Sequence, residues 1–151
     1  MINIRCANPT NSKSLTELAI RSEAYWGYDD SFMDKFKALY KVSEEFIINN
    51  PTYIMEEDGE IIGFYGILIE ESQRSLEYFF IEPKFIGKGY GKLLWNHVLK
   101  SCDSLNIREF IIVTSPQAQA FYTNLGAKLQ GEVESLVAEG RMIPQLIYSM
   151  E

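Results

Sequence analysis

Ile2, Ile4 and Cys6 alternate with polar positions, a period of two that predicts a first strand, and Asn8-Pro9-Thr10-Asn11-Ser12 breaks it. The period then lengthens. Leu15, Leu18, Ala19 and Ser22 share one helical face. After Tyr25-Trp26-Gly27-Tyr28-Asp29-Asp30, a second helix carries Phe32, Met33, Phe36, Leu39 and Tyr40, with Ser31 as its N-cap and Asp34 in its first turn. A short third helix is expected over residues 44–48, ended by Asn49-Asn50-Pro51. Residues 52–70 hold two strand-like runs around Glu57-Asp58-Gly59-Glu60, and Asp-Gly between apolar runs signals a hairpin.

Glu71-Ser72-Gln73-Arg74 turns the chain into another apolar strand, Ser75-Leu76-Glu77-Tyr78-Phe79-Phe80-Ile81-Glu82-Pro83. Glu77 alternates with Leu76 and Tyr78 and is expected to face opposite to both, whereas Glu82 lies near the strand end. Gly87-Lys88-Gly89-Tyr90-Gly91-Lys92 follows, then a helix with Leu93, Leu94, His97, Val98, Ser101, Cys102 and Leu105 on its apolar stripe, ending near Asn106. Phe110-Ile111-Ile112-Val113 reads as a buried strand. Ser115-Pro116 opens a short helix through Ala118, Phe121 and Tyr122, with Gly126 as its C-cap. Two final strands, residues 127–134 and 145–150, flank the turn-like Ala138-Glu139-Gly140-Arg141. The order is strand, helices, three strands, helix, strand, helix, two strands, which describes an α/β mixed sheet with helices on both faces.

Among these elements the glycine-rich turn between strand and helix carries the strongest chemical signal. Closely spaced glycines let the backbone turn tightly and approach a ligand, and the first helical turn offers unpaired N–H groups and positive dipole to an anion. That combination is a phosphate cradle. Two competing phosphate motifs fail: Gly-x-Gly-x-x-Gly counted from Gly87 meets Lys92 and counted from Gly89 meets Leu94, and Gly91-Lys92-Leu93 lacks the Ser or Thr of a nucleotide P-loop.

Composition narrows the classes. The 151 residues, 46% hydrophobic, fit one domain over residues 1–151 with a substantial core. Fourteen basic against 21 acidic side chains give a formal net charge of -7, which repels nucleic acid and anionic membrane and favours a cationic partner. Cys6 and Cys102 have neither a metal-ligand spacing nor the density of a disulfide scaffold, with a single histidine beside them, so no metal is expected. No apolar run suits a signal peptide or membrane span, and a soluble, cytoplasmic protein is the expectation.

With strand, glycine loop and helix in that order, the chain resembles the GNAT superfamily of acyl-CoA-dependent N-acyltransferases, and among them the small single-domain bacterial acetyltransferases. The family signature, Arg or Gln, two residues, Gly, one residue, Gly or Ala, aligns with Ile86-Gly87-Lys88-Gly89-Tyr90-Gly91. Both glycines match and Ile86 departs. A second match, Ser115-x-x-Ala118-x-x-Phe121-Tyr122-x-x-x-Gly126, resembles the family's Asn-x-x-Ala-x-x-Phe-Tyr-x-x-x-Gly, with Ser115 for the usual Asn. The resemblance implies a GNAT-like fold of about seven mostly antiparallel strands and acetyl-CoA as co-substrate. It places the pyrophosphate on the backbone around Ile86, Gly87, Lys88, Gly89, Tyr90, Gly91 and Lys92, with Lys88 and Lys92 supplying charge. The main chain of Phe79, Phe80 and Ile81 would pair with the pantetheine arm beside a bulge, and Ser115, Ala118 and Phe121 would line the same site. A homodimer through the last strands is a family-level expectation.

Acyl transfer from a thioester needs a neutral amine, a donor to the carbonyl oxygen and a proton for the sulfur. By resemblance Tyr122 is the acid, and a strand amide at Phe80 or Ile81 polarises the carbonyl. Glu77 or Glu82 is expected to take the ammonium proton, each with the alternative of being a solvated carboxylate. In the run Glu23-Ala24-Tyr25-Trp26-Gly27-Tyr28-Asp29-Asp30, Tyr25, Trp26 and Tyr28 combine aromatic faces with carboxylates, a pattern that favours a cation, and the resemblance implies a second acceptor wall in the loop over residues 134–144, where Arg141 would meet a substrate carboxylate. His97 and Cys102 read better as packed core residues than as catalysts. The expected function is N-acetylation of a small amine or amino-acid-like acceptor by direct attack in a ternary complex. The competing readings are a protein amino-terminus or lysine acetyltransferase and a non-catalytic acyl-CoA sensor or partner subunit.

Overall fold

A computed structural model describes residues 1–150. The chain runs β1 (Ile2–Cys6), α1 (Ser12–Ala24), α2 (Asp30–Leu39), α3 (Glu44–Asn49), β2 (Thr52–Glu57), β3 (Glu60–Ile69), β4 (Arg74–Ile81), α4 (Tyr90–Ser104), β5 (Glu109–Val113), α5 (Gln119–Asn124), β6 (Lys128–Glu134) and β7 (Met142–Ser149). This is the element order expected from the sequence. The strands form one sheet ordered β1-β2-β3-β4-β5-β7-β6, antiparallel except where β4 runs parallel to β5. The hairpin turn lies where Asp-Gly placed it, with Asp58 and Gly59 both at positive φ, 52° and 81°.

Each face of the sheet carries its own core. Leu94, Trp95, Val98 and Cys102 of α4 seal Met55, Ile62, Tyr65, Phe110 and Leu146 on one face. On the other, Leu15, Leu18 and Ala19 of α1, with Val42 and Ile47, cover Ile54, Phe64 and Tyr78. Each aliphatic or Phe side chain fully removed from water contributes about 1.5–3 kcal/mol, so these two layers outweigh any single polar contact in the fold. A third cluster joins Met33 and Phe36 of α2 to Val137 from the loop between β6 and β7.

Several sequence expectations shift by a residue or a face. The N-cap of α2 is Asp29, whose side chain accepts from the Phe32 amide at 2.8 Å, so Ser31 lies within the first turn. The buried stripe of α4 includes Trp95 but not Leu93 or Leu105, which are 46% and 49% exposed. Leu93 precedes the 94-95-98-101-102 face, and Leu105 lies past the helix end, where Asn106 turns left-handed at φ 57°. Strand β7 starts at Met142, three residues before expectation. Pro144 is tolerated within it because its carbonyl accepts from Thr114, just past the end of β5, where no ladder donor is required of it.

The most consequential change is in β4. Opposite β3, Tyr78 pairs with Gly66 and Leu76 with Ile67, so Glu77 is the extra residue of a β-bulge. Strict alternation is lost there: Leu76 joins the α4 core and Tyr78 the α1 core, so the two do not share the face opposite Glu77. Beyond the bulge β4 leaves β5, which it pairs at the single position Ser75 to Ile111. A wedge opens between the two strands.

Candidate active site

The wedge continues into a cleft of about 590 Å³. Phe79, Phe80 and Ile81 of β4 form one wall, and Ile112 to Ser115, at the end of β5 and just after it, form the other. Pairing ends while both strands continue, so β4 presents main chain to the cleft instead of to a neighbour.

The glycine loop closes one end. Gly87 and Gly89 hold φ of 83° and 87°, and a Cβ built on either meets nothing within 4 Å, so backbone conformation and not space requires glycine. Gly89 caps α4 without a side chain over the helix end, leaving first-turn amides uncovered. Gly91 is glycine for another reason: its Cβ would lie 3.1 Å from the Phe121 ring. Ile86, Gly87, Gly89, Gly91 and Lys92 line the cleft, as do Ser115, Ala118 and Phe121. Lys88 and Tyr90 do not; Tyr90 packs edge-on against Phe85 at 5.6 Å. An open, anion-attracting cradle continuous with a bare strand edge fits the pyrophosphate and the amide-rich arm of CoA.

Tyr122 lines the middle of the cleft. Phe79, Trp95 and Phe121 surround its ring at 6.0, 5.9 and 5.1 Å, and it is only 5% exposed. Burial raises its pKa above the ordinary tyrosine value, so the hydroxyl stays protonated. It has no hydrogen-bond partner among the described residues, yet no buried side-chain oxygen is stranded, so the hydroxyl reaches the cleft.

At the opposite end the cleft is acidic and aromatic. Glu23, Trp26, Phe36, Tyr40, Glu77 and Arg141 line it. Burial pushes the Glu23 carboxyl up to about 7, with Arg141 pulling it back. Glu77 is exposed on the cleft wall yet hemmed in, and burial followed by repulsion from Glu70 raises its pKa. The Tyr40 phenol is raised by burial and then by Glu77 and Glu23, which places it under the influence of both carboxylates. Glu82 is not here. Arg21 holds it in a two-pronged ion pair, 2.8 and 3.0 Å, beside a separate surface hollow, which removes it from the candidates for the ammonium proton.

The expected acceptor residues divide. Trp26 and Arg141 face the cleft, whereas Tyr25 is 52% exposed and only buttresses Trp26 at 5.3 Å. Tyr28 forms a bridge: its hydroxyl accepts from Arg141 at 3.0 Å and donates to Gln117 at 3.0 Å, while its ring stacks on Phe32 at 4.0 Å beneath the guanidinium. The loop after α1, the β6–β7 loop and the segment before α5 therefore meet at one hydroxyl. Ser135, whose Oγ accepts from Val137 and Ala138, folds the β6–β7 loop so that Val137 docks on α2.

Glu23 stood in the acceptor run of the sequence but not among its candidate bases, although a signal existed. It follows Ala19 by four residues and Leu15 by eight, so it continues the apolar face of α1, an unfavourable place for an idle charge. Tyr40, Gln117 and Ser135 gave no such signal. His97 and Cys102 are core residues: Tyr65 meets His97 Nδ1 at 2.8 Å and Ser101 at 2.6 Å, and burial pushes the Cys102 thiol up to about 11. No group of three or more metal-ligating side chains comes together among the described residues, and no helix there is long and apolar enough to cross a membrane.

A wedge between parallel strands, a glycine cradle at a helix start and a buried tyrosine in one cleft define an acyl-CoA-dependent transferase, and residues 15–138 match the family described as an acetyltransferase (GNAT) domain. The chain belongs to that family and is an acyl-CoA-dependent acetyltransferase. Its fold is similar to that of the PaiA N-acetyltransferase of Thermoplasma acidophilum in complex with coenzyme A, with a TM-score of 0.82 at 19% identity over 99% of both chains. The 5-NmdU N-acetyltransferase of Pseudomonas phage PaMx11 is 29% identical over 93% of this chain and 95% of its own. The peptidyl-lysine N-acetyltransferase YjaB of Salmonella typhimurium is 28% identical over 89% of this chain and 88% of its own.

Proposed function

We propose that this acetyltransferase acts on the primary amine of a small cationic acceptor, which attacks directly in a ternary complex. The observation that carries the reading is the acceptor end of the cleft. Glu23 and Glu77 attract an ammonium, Trp26 and Tyr40 offer aromatic faces to it, and the Tyr28 bridge fixes Arg141 in the same cleft wall. A carboxylate on the acceptor, as in an amino acid, would find Arg141.

Acetyl-CoA supplies the acetyl thioester. The residues that would hold it are the amides around Gly87 to Lys92, the main chain of Phe79 to Ile81, and the walls at Ser115, Ala118 and Phe121. The Lys92 ammonium adds charge beside the cradle. Ile86 contributes apolar contact where the family has a cation or amide, so phosphate binding leans on the backbone. The bare β4 amides are positioned to donate to a carbonyl oxygen, and the neutral Tyr122 hydroxyl can give its proton to the departing sulfur. The acceptor nitrogen bonds to the acetyl carbon as the carbon–sulfur bond breaks.

The test is thiol release with acetyl-CoA against a panel of small amines, amino acids and lysine peptides, for the wild type and Tyr122→Phe. Small amines are expected to be the better substrates. The variant should lose about 100-fold in kcat while calorimetry shows unchanged CoA affinity. Faster turnover of lysine peptides would replace the small-acceptor reading by a protein-acetylating one, the activity the Salmonella relative's name describes.

A further inference from the structure

Deprotonation of the acceptor is the step for which the sequence named two carboxylates, and one of them is locked away. Glu82 is held by Arg21 outside the cleft. Glu77 sits on the bulge with only another carboxylate, Glu70, acting on its charge. Glu23 is different: it stands on the last turn of a 13-residue helix, half-buried in the wall of a cleft that a cation from another element, Arg141, also lines. That cation is itself fixed. Arg141 donates to Tyr28, which donates to Gln117, and its guanidinium lies 5.1 and 5.4 Å from the stacked rings of Tyr28 and Phe32.

We infer that Glu23 takes the proton from the acceptor ammonium, and that Arg141, fastened through Tyr28 in the wall of the same cleft, is its positioning residue. This rests on the amine-acetyltransferase reading above. The Glu23 carboxylate accepts one proton from R–NH3+, leaving R–NH2, and later returns it to water through the cleft mouth. The nitrogen loses its second proton after bonding to the acetyl carbon. That proton restores Tyr122, whose own proton has gone to the sulfur, so one proton reaches solvent and one stays on the thiol.

The charged and titratable groups facing Glu23 are Arg141 from the β6–β7 loop and Tyr40 at the end of α2, with Glu77 beyond it on β4. Burial dominates and places Glu23 near neutrality, where a base is both partly ionised and strong enough to draw an ammonium proton. Arg141 works against burial. Without it, the carboxyl would hold its proton to higher pH.

The experiment is carboxyl NMR of the glutamate-labelled protein without substrate, paired with pH profiles of kcat/KM. One glutamate is expected to titrate near 7, to vanish in Glu23→Gln, and to move up by about one pH unit in Arg141→Met. The acid limb of the activity profile should follow the same pH in the wild type and in Arg141→Met. Glu23→Gln should lose that limb and about 100-fold in rate, while Glu23→Asp keeps a limb and so controls for folding. A Glu23 that titrates in the ordinary carboxylate range, a limb that survives Glu23→Gln, or an Arg141→Met that changes KM with the limb unmoved would overturn the assignment alone. A wild type that turns over no amine would overturn the acceptor reading and this assignment with it.

Discussion

Glu23 shows what a single misplaced charge does to both stability and chemistry. Its folded pKa lies above the unfolded value, so its contribution to stability is fully present below about 4.5 and is lost as pH rises through about 7. At 1.36 kcal/mol per pH unit of difference, the loss is on the order of 3 kcal/mol. Glu23→Gln is therefore expected to be more stable than wild type at pH 8 by that order, with the advantage shrinking toward pH 5, in urea denaturation at each pH. An equal advantage at both would mean the carboxylate is not strained by burial. The same arithmetic explains why the position resists reading from sequence. Its place on the α1 face was visible, but how deeply that face is covered depends on Arg141, Tyr40 and Glu77, residues 17 to 118 positions away.

At the scale of elements, the glycine loop and helix α4 work as one anion cradle. The positive φ of Gly89 is a demand on conformation, since nothing lies near its Cβ direction. Gly89→Ala should cost about 1–2 kcal/mol in denaturant unfolding and weaken CoA binding by calorimetry. Gly131→Ala, in a strand of ordinary φ with the same open space, should leave CoA binding unchanged. Comparable losses in both variants would remove the conformational argument. The elements themselves were legible because each has a local cause: the apolar period of α1, the Asp58-Gly59 turn, and the glycines before α4. The bulge at Glu77 was not, because its cause is tertiary. A Cβ on Gly66 would lie 2.7 Å from the Phe46 ring and one on Gly63 2.7 Å from the Phe80 carbonyl, so the fit of β3 to α3 and β4 constrains the register on the Tyr78 side of the extra residue.

For the whole molecule, a formal charge of -7 surrounds a cleft whose acceptor end carries two carboxylates against one guanidinium. Cationic acceptors should be drawn in at low salt. Raising ionic strength from about 0.02 to 0.5 M is expected to increase KM for a cationic amine several-fold with kcat unchanged, because screening acts on encounter and not on the desolvated step. A KM that falls with salt would contradict an electrostatically guided acceptor. The sequence by itself determined the order of strands and helices and the cradle of glycines, because these follow from local periodicity and backbone freedom, and its resemblance to the family singled out Tyr122. Only the tertiary structure decided that Glu82 is tied to Arg21, that Glu77 and Glu23 face one cleft, and that Tyr28 joins Arg141 to Gln117. The physical reason is that a side chain's charge state and partners are set by groups brought together across the fold, and their distances are fixed by packing rather than by position along the chain.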